Sequence, residues 1–161
     1  MTATTKGGCA VGVQVRVDID APAERVYDLV ADLPGMGRWS PENSGGSWLG
    51  DATEAGVGAR FRGRNHRGPL RWSTTCTVTE AQRGKAIEWT VGFAGIPIAR
   101  WRYDFEPTSS GTSVTESFED RRPAAMKVAS VPAMGIRDRD KHNRTGMVET
   151  LQRLPAAAET G

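Results

Sequence analysis

The chain has 161 residues, a length that favours one domain with a core able to stand without disulfide or metal staples. Its 21 basic residues stand against 19 acidic ones, a balance that gives no ground for a nucleic-acid partner. No run of about 18 apolar residues is present to span a membrane, and MTATTKGGCAVG lacks the apolar stretch of a signal peptide.

The expected organisation is a flexible tail over 1–10, one domain over 11–155 and a second flexible tail over 156–161. Val11, Val13, Val15, Val17 and Ile19 alternate with polar or small residues, a period of two that predicts a half-buried strand. In DAPAERVYDLVADL, Asp20 is a candidate N-cap and Pro22 suits a first helical turn. Val26, Leu29 and Val30 form the apolar face of that helix, and Pro34 and Gly35 stop it. A second short turn is predicted over Met36 to Trp39, ended by Pro41.

Strands follow. Ser47-Trp48-Leu49 is short, and Gly58 to His66 alternates Phe61 and Asn65 against Arg60, Arg62 and Arg64. The turn HRGP leads into Leu70–Glu80, where Trp72, Thr74, Cys76 and Val78 share a face. Ile87, Trp89, Val91 and Phe93 form the next face, then Ala99, Trp101, Tyr103 and Phe105, then Thr112, Val114, Glu116 and Phe118. From Ala124 the period becomes helical, with an interruption at Pro132. From Ala133 on, Ile136, Asp140, Asn143, Met147, Leu151 and Leu154 mark one face of a long helix broken at Pro155.

Strands joined by short turns predict an antiparallel meander, and its apolar face needs a cover. The C-terminal helix, at 1.5 Å per residue about 33 Å long, is the element able to supply it. The expected fold class is α+β: a curved seven-stranded antiparallel sheet wrapped around a long C-terminal helix, with two short helices after the first strand.

Polar residues interrupt the inward face at Asn65, Thr74 and Glu116, and the helix stripe adds Asp140 and Asn143. An unpaired buried carboxylate is costly, so Glu116 either ends an apolar pocket or pairs internally, for example with Arg144. The two histidines lack metal-ligand spacing: His66 reads as an exposed turn residue and His142 as solvated. Cys76 reads as a small buried hydrophobe and Cys9 as part of the tail. Arg60, Arg62, Arg64, Arg71, Arg100 and Arg102 share the outer face with Glu88, Asp104 and Glu106, which predicts cross-strand ion pairs.

The segments GRWSPE, VGARFRGRN, RWSTTCTVTE, WRYDFEP, GTSVTESFE and GMVETLQRL, in this element order, resemble the helix-grip or START-like superfamily. Within it the chain is most similar to the polyketide cyclase/dehydrase-like proteins of bacteria, especially actinobacteria. The resemblance implies a cavity between sheet and C-terminal helix that binds a small hydrophobic or amphipathic molecule, polyketide-, lipid- or sterol-like. Ligand-contacting residues would be Trp39, Phe61, Asn65, Trp72, Trp89, Trp101, Tyr103, Phe118, Asn143 and Met147. Alternatively the chain is a polyketide cyclase/aromatase or dehydratase with Glu116 catalytic, or an interaction module such as a toxin–antitoxin or stress partner, which predicts a filled core. No cofactor, metal, nucleic acid or stable membrane insertion is expected; the chain is expected to be cytoplasmic and a monomer or weak homodimer.

Overall fold

The computed structural model describes residues 12–160; the expected tail over 1–10, Cys9 and Val11 lie outside them. The chain runs β1 (Val13–Ile19), α1 (Ala23–Ala31), a 3₁₀ helix (Leu33–Arg38), β2 (Asn43–Leu49), β3 (Arg60–Arg67), β4 (Leu70–Gln82), β5 (Ala86–Phe93), β6 (Ile96–Pro107), β7 (Thr112–Asp120), α2 (Ala124–Met134) and α3 (Arg139–Glu159). The seven strands form one antiparallel sheet in the order β1-β7-β6-β5-β4-β3-β2. Register shifts at Asn43/Gly46, Val78/Glu80 and Val91/Gly92 bend and twist the strands, and so curve the sheet.

The period-two patterns place their residues as the pleat requires. Phe61, Cys76, Val78, Ile87, Trp89, Val91, Tyr103, Phe105, Val114 and Phe118 are all buried. From α3, Met147, Leu151, Leu154 and Ala158 join this core, and each large side chain of that stripe contributes about 1.5–3 kcal/mol by leaving water. Helix α1 adds Val26, Tyr27 and Val30, with Tyr27 meeting Phe105 edge-on at 5.6 Å between ring centroids.

Three local expectations change. Asp20 is not the cap of α1: Pro22 occupies the N-cap position, and the Asp20 backbone N–H donates to Glu159 of α3. The second short helix is a 3₁₀ turn starting at Leu33, because Asp32 accepts from the Gly35 N–H at 3.3 Å and also pairs with Arg38. The C-terminal region is two helices. Pro132 is carried inside α2, and the break falls at Gly135, whose φ of 65° favours a residue without Cβ. The Gly135 N–H closes α2 on the Val131 carbonyl at 2.8 Å. Ile136 is buried, yet it sits in the link before α3.

Helix α3 starts at Arg139, capped by Asp138 through the Lys141 N–H, and continues through Pro155 to Glu159. Pro155 therefore removes one hydrogen bond without ending the helix. Residues 156–159, expected in the flexible tail, are helical, and Ala158 is 1% exposed. At 21 residues the helix is about 32 Å long, close to the length expected for a helix lying across the sheet.

Candidate functional site

A cavity of about 420 Å³ lies between the concave face of the sheet and α3. Its position follows from side-chain size along α3. Leu151 and Leu154 close the C-terminal half of the interface, whereas Asn143 and Gly146 leave room nearer the start of the helix. The sheet side carries the aromatics. Trp89 stacks with Tyr103 at 5.8 Å, and Trp101 packs against Phe118 at 4.8 Å.

Nine of the expected residues meet at this cavity: Asn65, Trp72, Trp89, Trp101, Tyr103, Glu116, Phe118, Asn143 and Met147. Two do not. Trp39 is buried outside the lining, with Arg38 stacked 5.0 Å from its ring and its carbonyl accepting from Arg153 at 3.1 Å. It fills the corner between the 3₁₀ turn and the second half of α3. Phe61 turns its ring toward Trp48 and Gly46, edge-on to the indole at 5.7 Å. Asp140, placed by periodicity on the inward stripe, is exposed, because α3 has only just begun there.

The polar end of the cavity is built around Glu116. It sits opposite Tyr103 on β6 and Val15 on β1, and is 3% exposed. Burial pushes its carboxyl up to about 8, although a hydrogen bond from Tyr103 opposes the shift. At neutral pH Glu116 is therefore mostly a neutral acid. Burial, and then the neighbouring Glu116, hold the Tyr103 phenol well above its usual value, so it too stays protonated. Glu116 Oε2 and Asn143 Nδ2 are buried without hydrogen-bond partners among the described residues. Arg144, the alternative internal partner of Glu116, instead reaches the Gln14 carbonyl at 3.4 Å.

A second polar group stands on β3 and β4. Asn43 donates to Asn65 at 3.4 Å, and Asn65 donates to Thr74 at 3.2 Å. Cys76 lines the cavity beside them, and burial raises its thiol to about 12, so it is an unreactive small hydrophobe.

Among the lining residues that the sequence reading did not bring to the site are Glu42, His66, Arg139 and His142. His142 is half-buried and its Nε2 lies 2.6 Å from Glu42 Oε1. His66 is not an exposed turn residue: it belongs to β3, its N–H donates to the Glu42 carbonyl at 2.9 Å, and its Nδ1 is buried without a partner among the described residues. Arg139 is half-buried beside them. Burial lowers its pKa despite Glu42, and Arg122 and Arg67 add to the lowering. The signal that could have found Glu42 is its place in GRWSPE, just after the bend; nothing in spacing links it to a histidine 100 residues later.

The outer-face arginines divide. Arg102 bonds Glu80 and Glu88, and Arg100 pairs with Glu88 and Glu119, as cross-strand pairing predicts; Arg102 also bonds Asp104 within its own strand. Arg60, Arg62, Arg64 and Arg71 make no ion pair among the described residues: the β3 arginines face Thr77, Thr75 and Ser73 of β4, and Arg71 of β4 faces His66.

Comparison with known proteins agrees with this architecture. A solution structure of a polyketide cyclase-like protein, Cgl2372 from Corynebacterium glutamicum, is 31% identical, with a TM-score of 0.63 over 91% of this chain and 90% of that one. CV1439 from Chromobacterium violaceum is 21% identical, with a TM-score of 0.70 over 92% of this chain and 97% of that one, and shows the shared fold. The di-domain aromatase/cyclase BexL of the BE-7585A biosynthetic pathway is 18% identical, with a TM-score of 0.68 over 92% of this chain and 50% of that one. No curated protein matches the chain. The family model for polyketide cyclase/dehydrase and lipid transport matches residues 10–159, and with the helix-grip architecture above, the chain belongs to that family.

Proposed function

We propose that this chain binds a small amphipathic molecule, polyketide-, lipid- or sterol-like, in the cavity between sheet and α3. The observation that carries the reading is the pair of unpartnered buried polar atoms, Glu116 Oε2 and Asn143 Nδ2, in a cavity whose sheet side also carries Trp72, Trp89, Trp101 and Phe118. A buried polar atom without a partner costs about 1–3 kcal/mol. A ligand carrying a hydroxyl or carbonyl recovers that cost while its apolar body covers Trp89 and Trp101. The neutral Glu116 acid donates to such an oxygen, and the Asn143 amide does the same. The chain works in this reading as a cytoplasmic monomer or weak homodimer and calls for no cofactor.

A second reading is a cyclase/aromatase or dehydratase acting on a bound polyketide. The Glu42–His142 pair favours it, because a carboxylate that fixes one imidazole nitrogen is the usual way to orient a general base. Glu116 would supply the acid in the same cavity. The interaction-module reading requires a filled core, and the 420 Å³ cavity weighs against it.

Titration with a fluorescent naphthalene sulfonate tests the first reading. Saturable one-to-one enhancement, displaced by a hydroxylated polycyclic, is expected; an unchanged probe spectrum would count against it. Glu116→Gln separates the two readings: loss of turnover of a linear polyketone with binding retained makes the chain an enzyme, and turnover absent from wild type and variant alike leaves it a carrier.

A further inference from the structure

The outer face of the sheet treats charge differently in its two halves. On the β6 side, Arg100 and Arg102 each meet carboxylates of neighbouring strands. Over β2, β3 and β4 no such match exists. Arg60, Arg62 and Arg64 occupy alternate positions of β3, so the pleat sends all three to the side opposite the buried Phe61 and Gly63. Arg71 extends the row on β4, on the side opposite the cavity residue Trp72. All four are exposed, and their side chains make no hydrogen bond or ion pair among the described residues.

The outward residues around them are Ser47 and Leu49 of β2 and Ser73, Thr75 and Thr77 of β4, with no carboxylate in the set. Three like charges ~6.7 Å apart along one strand repel one another, and nothing beside them offsets the repulsion. Stability alone would favour an acid among them, as on the β6 side. Helix α3 covers the concave side of the sheet, so this face is convex and open to solvent. Residues 1–11, MTATTKGGCAV, carry one lysine and no acid, so that segment holds no complement to it.

The chemistry of the face selects its occupant. Guanidinium and hydroxyl groups donate hydrogen bonds, so the occupant presents negatively charged acceptors, for which carboxylates suit the planar guanidinium fork. The β3 arginines also stand in a line that spans about 13 Å from Arg60 to Arg64. A helix with acidic residues three and four apart carries carboxylates about 5–6 Å apart along one face, close to the spacing of alternate strand positions. About two and a half turns of such a helix cover the line. A single-stranded nucleic acid would call for aromatic side chains to stack its bases, and the aromatics of β2–β4 point the other way. Trp48 and Phe61 pack against each other on the inner side, and Trp72 lines the cavity.

We propose that the outer face of β3 and β4 is a docking surface for a partner protein that presents an acidic helix, with Arg60, Arg62 and Arg64 as its anchors. This goes beyond the binding reading above and needs no ligand in the cavity, so the two stand or fall separately. The probe is a fluorescein-labelled helical peptide of alanine and glutamine with glutamates at i, i+4, i+7 and i+11, followed by fluorescence anisotropy. A second peptide of the same composition spreads its glutamates around the helix. Wild type should bind the one-faced peptide saturably, at least about tenfold more tightly than the spread one, and release it as salt is raised. Arg62→Glu and Arg64→Glu should each weaken binding by about tenfold or more, and Arg62→Gln by about threefold. These sites are exposed, so circular dichroism should be unchanged. Lys141→Glu makes the same change of charge on α3, in the opposite layer, and should bind like wild type. Absence of saturable binding, or equal binding of the two peptides, would overturn the proposal. So would a loss in Lys141→Glu as large as in Arg62→Glu, since net charge alone would then explain the binding. Tighter binding of an oligothymidylate of equal charge would make nucleic acid the occupant instead, and self-association of wild type abolished by Arg62→Glu would make it a second copy of the chain.

Discussion

Glu116 shows how much one residue's environment decides. Alternation along β7 placed it inward beside Val114 and Phe118, and the structure buries it with its carboxyl raised to about 8. The sign of the stability effect follows. The unfolded chain ionises near the ordinary carboxylate value and the folded one near 8, so the folded state binds the proton more tightly. Stability is full below the unfolded value, falls as pH rises toward 8, and is constant above it. Glu116→Gln removes this loss while keeping the shape and a hydrogen-bonding partner for Tyr103. Urea unfolding at pH 5 and pH 9 should show wild type losing a few kcal/mol more than the variant between the two, an order-of-magnitude figure from ~1.4 kcal/mol per pKa unit. Equal losses would mean Glu116 is already ionised in the fold. Glu42 and His142 stand at the other extreme of legibility: one follows a bend, the other lies on a charged helix face, and only the fold joins them. Trp39 lies off the cavity lining for a related reason: a residue at a helix–loop corner has no period to fix its direction.

At the level of elements, the strands were readable because half-buried strands print their pleat directly on the sequence. The helices were less so. Proline predicts breaks at 132 and 155, yet both positions are helical, and the break belongs to Gly135 with its left-handed backbone. Pro155 is tolerated because the α3 stripe on either side, Leu151, Leu154 and Ala158, is buried and holds the helix in place. Such a residue still costs a hydrogen bond. Pro155→Ala should therefore raise stability, by roughly 1 kcal/mol or more, as a higher urea midpoint with an unchanged slope. A lower midpoint would show that the ring packs usefully against its neighbours.

For the whole molecule, the sheet curves, α3 crosses it, and the smaller residues near the start of α3 leave the two layers apart. The hollow architecture was legible as an element order and as a resemblance; the division of the C-terminal region into two helices was not, because it depends on the left-handed backbone of Gly135. The account rests on the space beside Trp89, Trp101 and Glu116 being a site for a guest molecule. Native mass spectrometry of the protein purified from its own host tests this most directly. One discrete small-molecule adduct, lost on denaturation, is predicted; the bare mass of the chain, in protein that also fails to take up the naphthalene sulfonate, would contradict it.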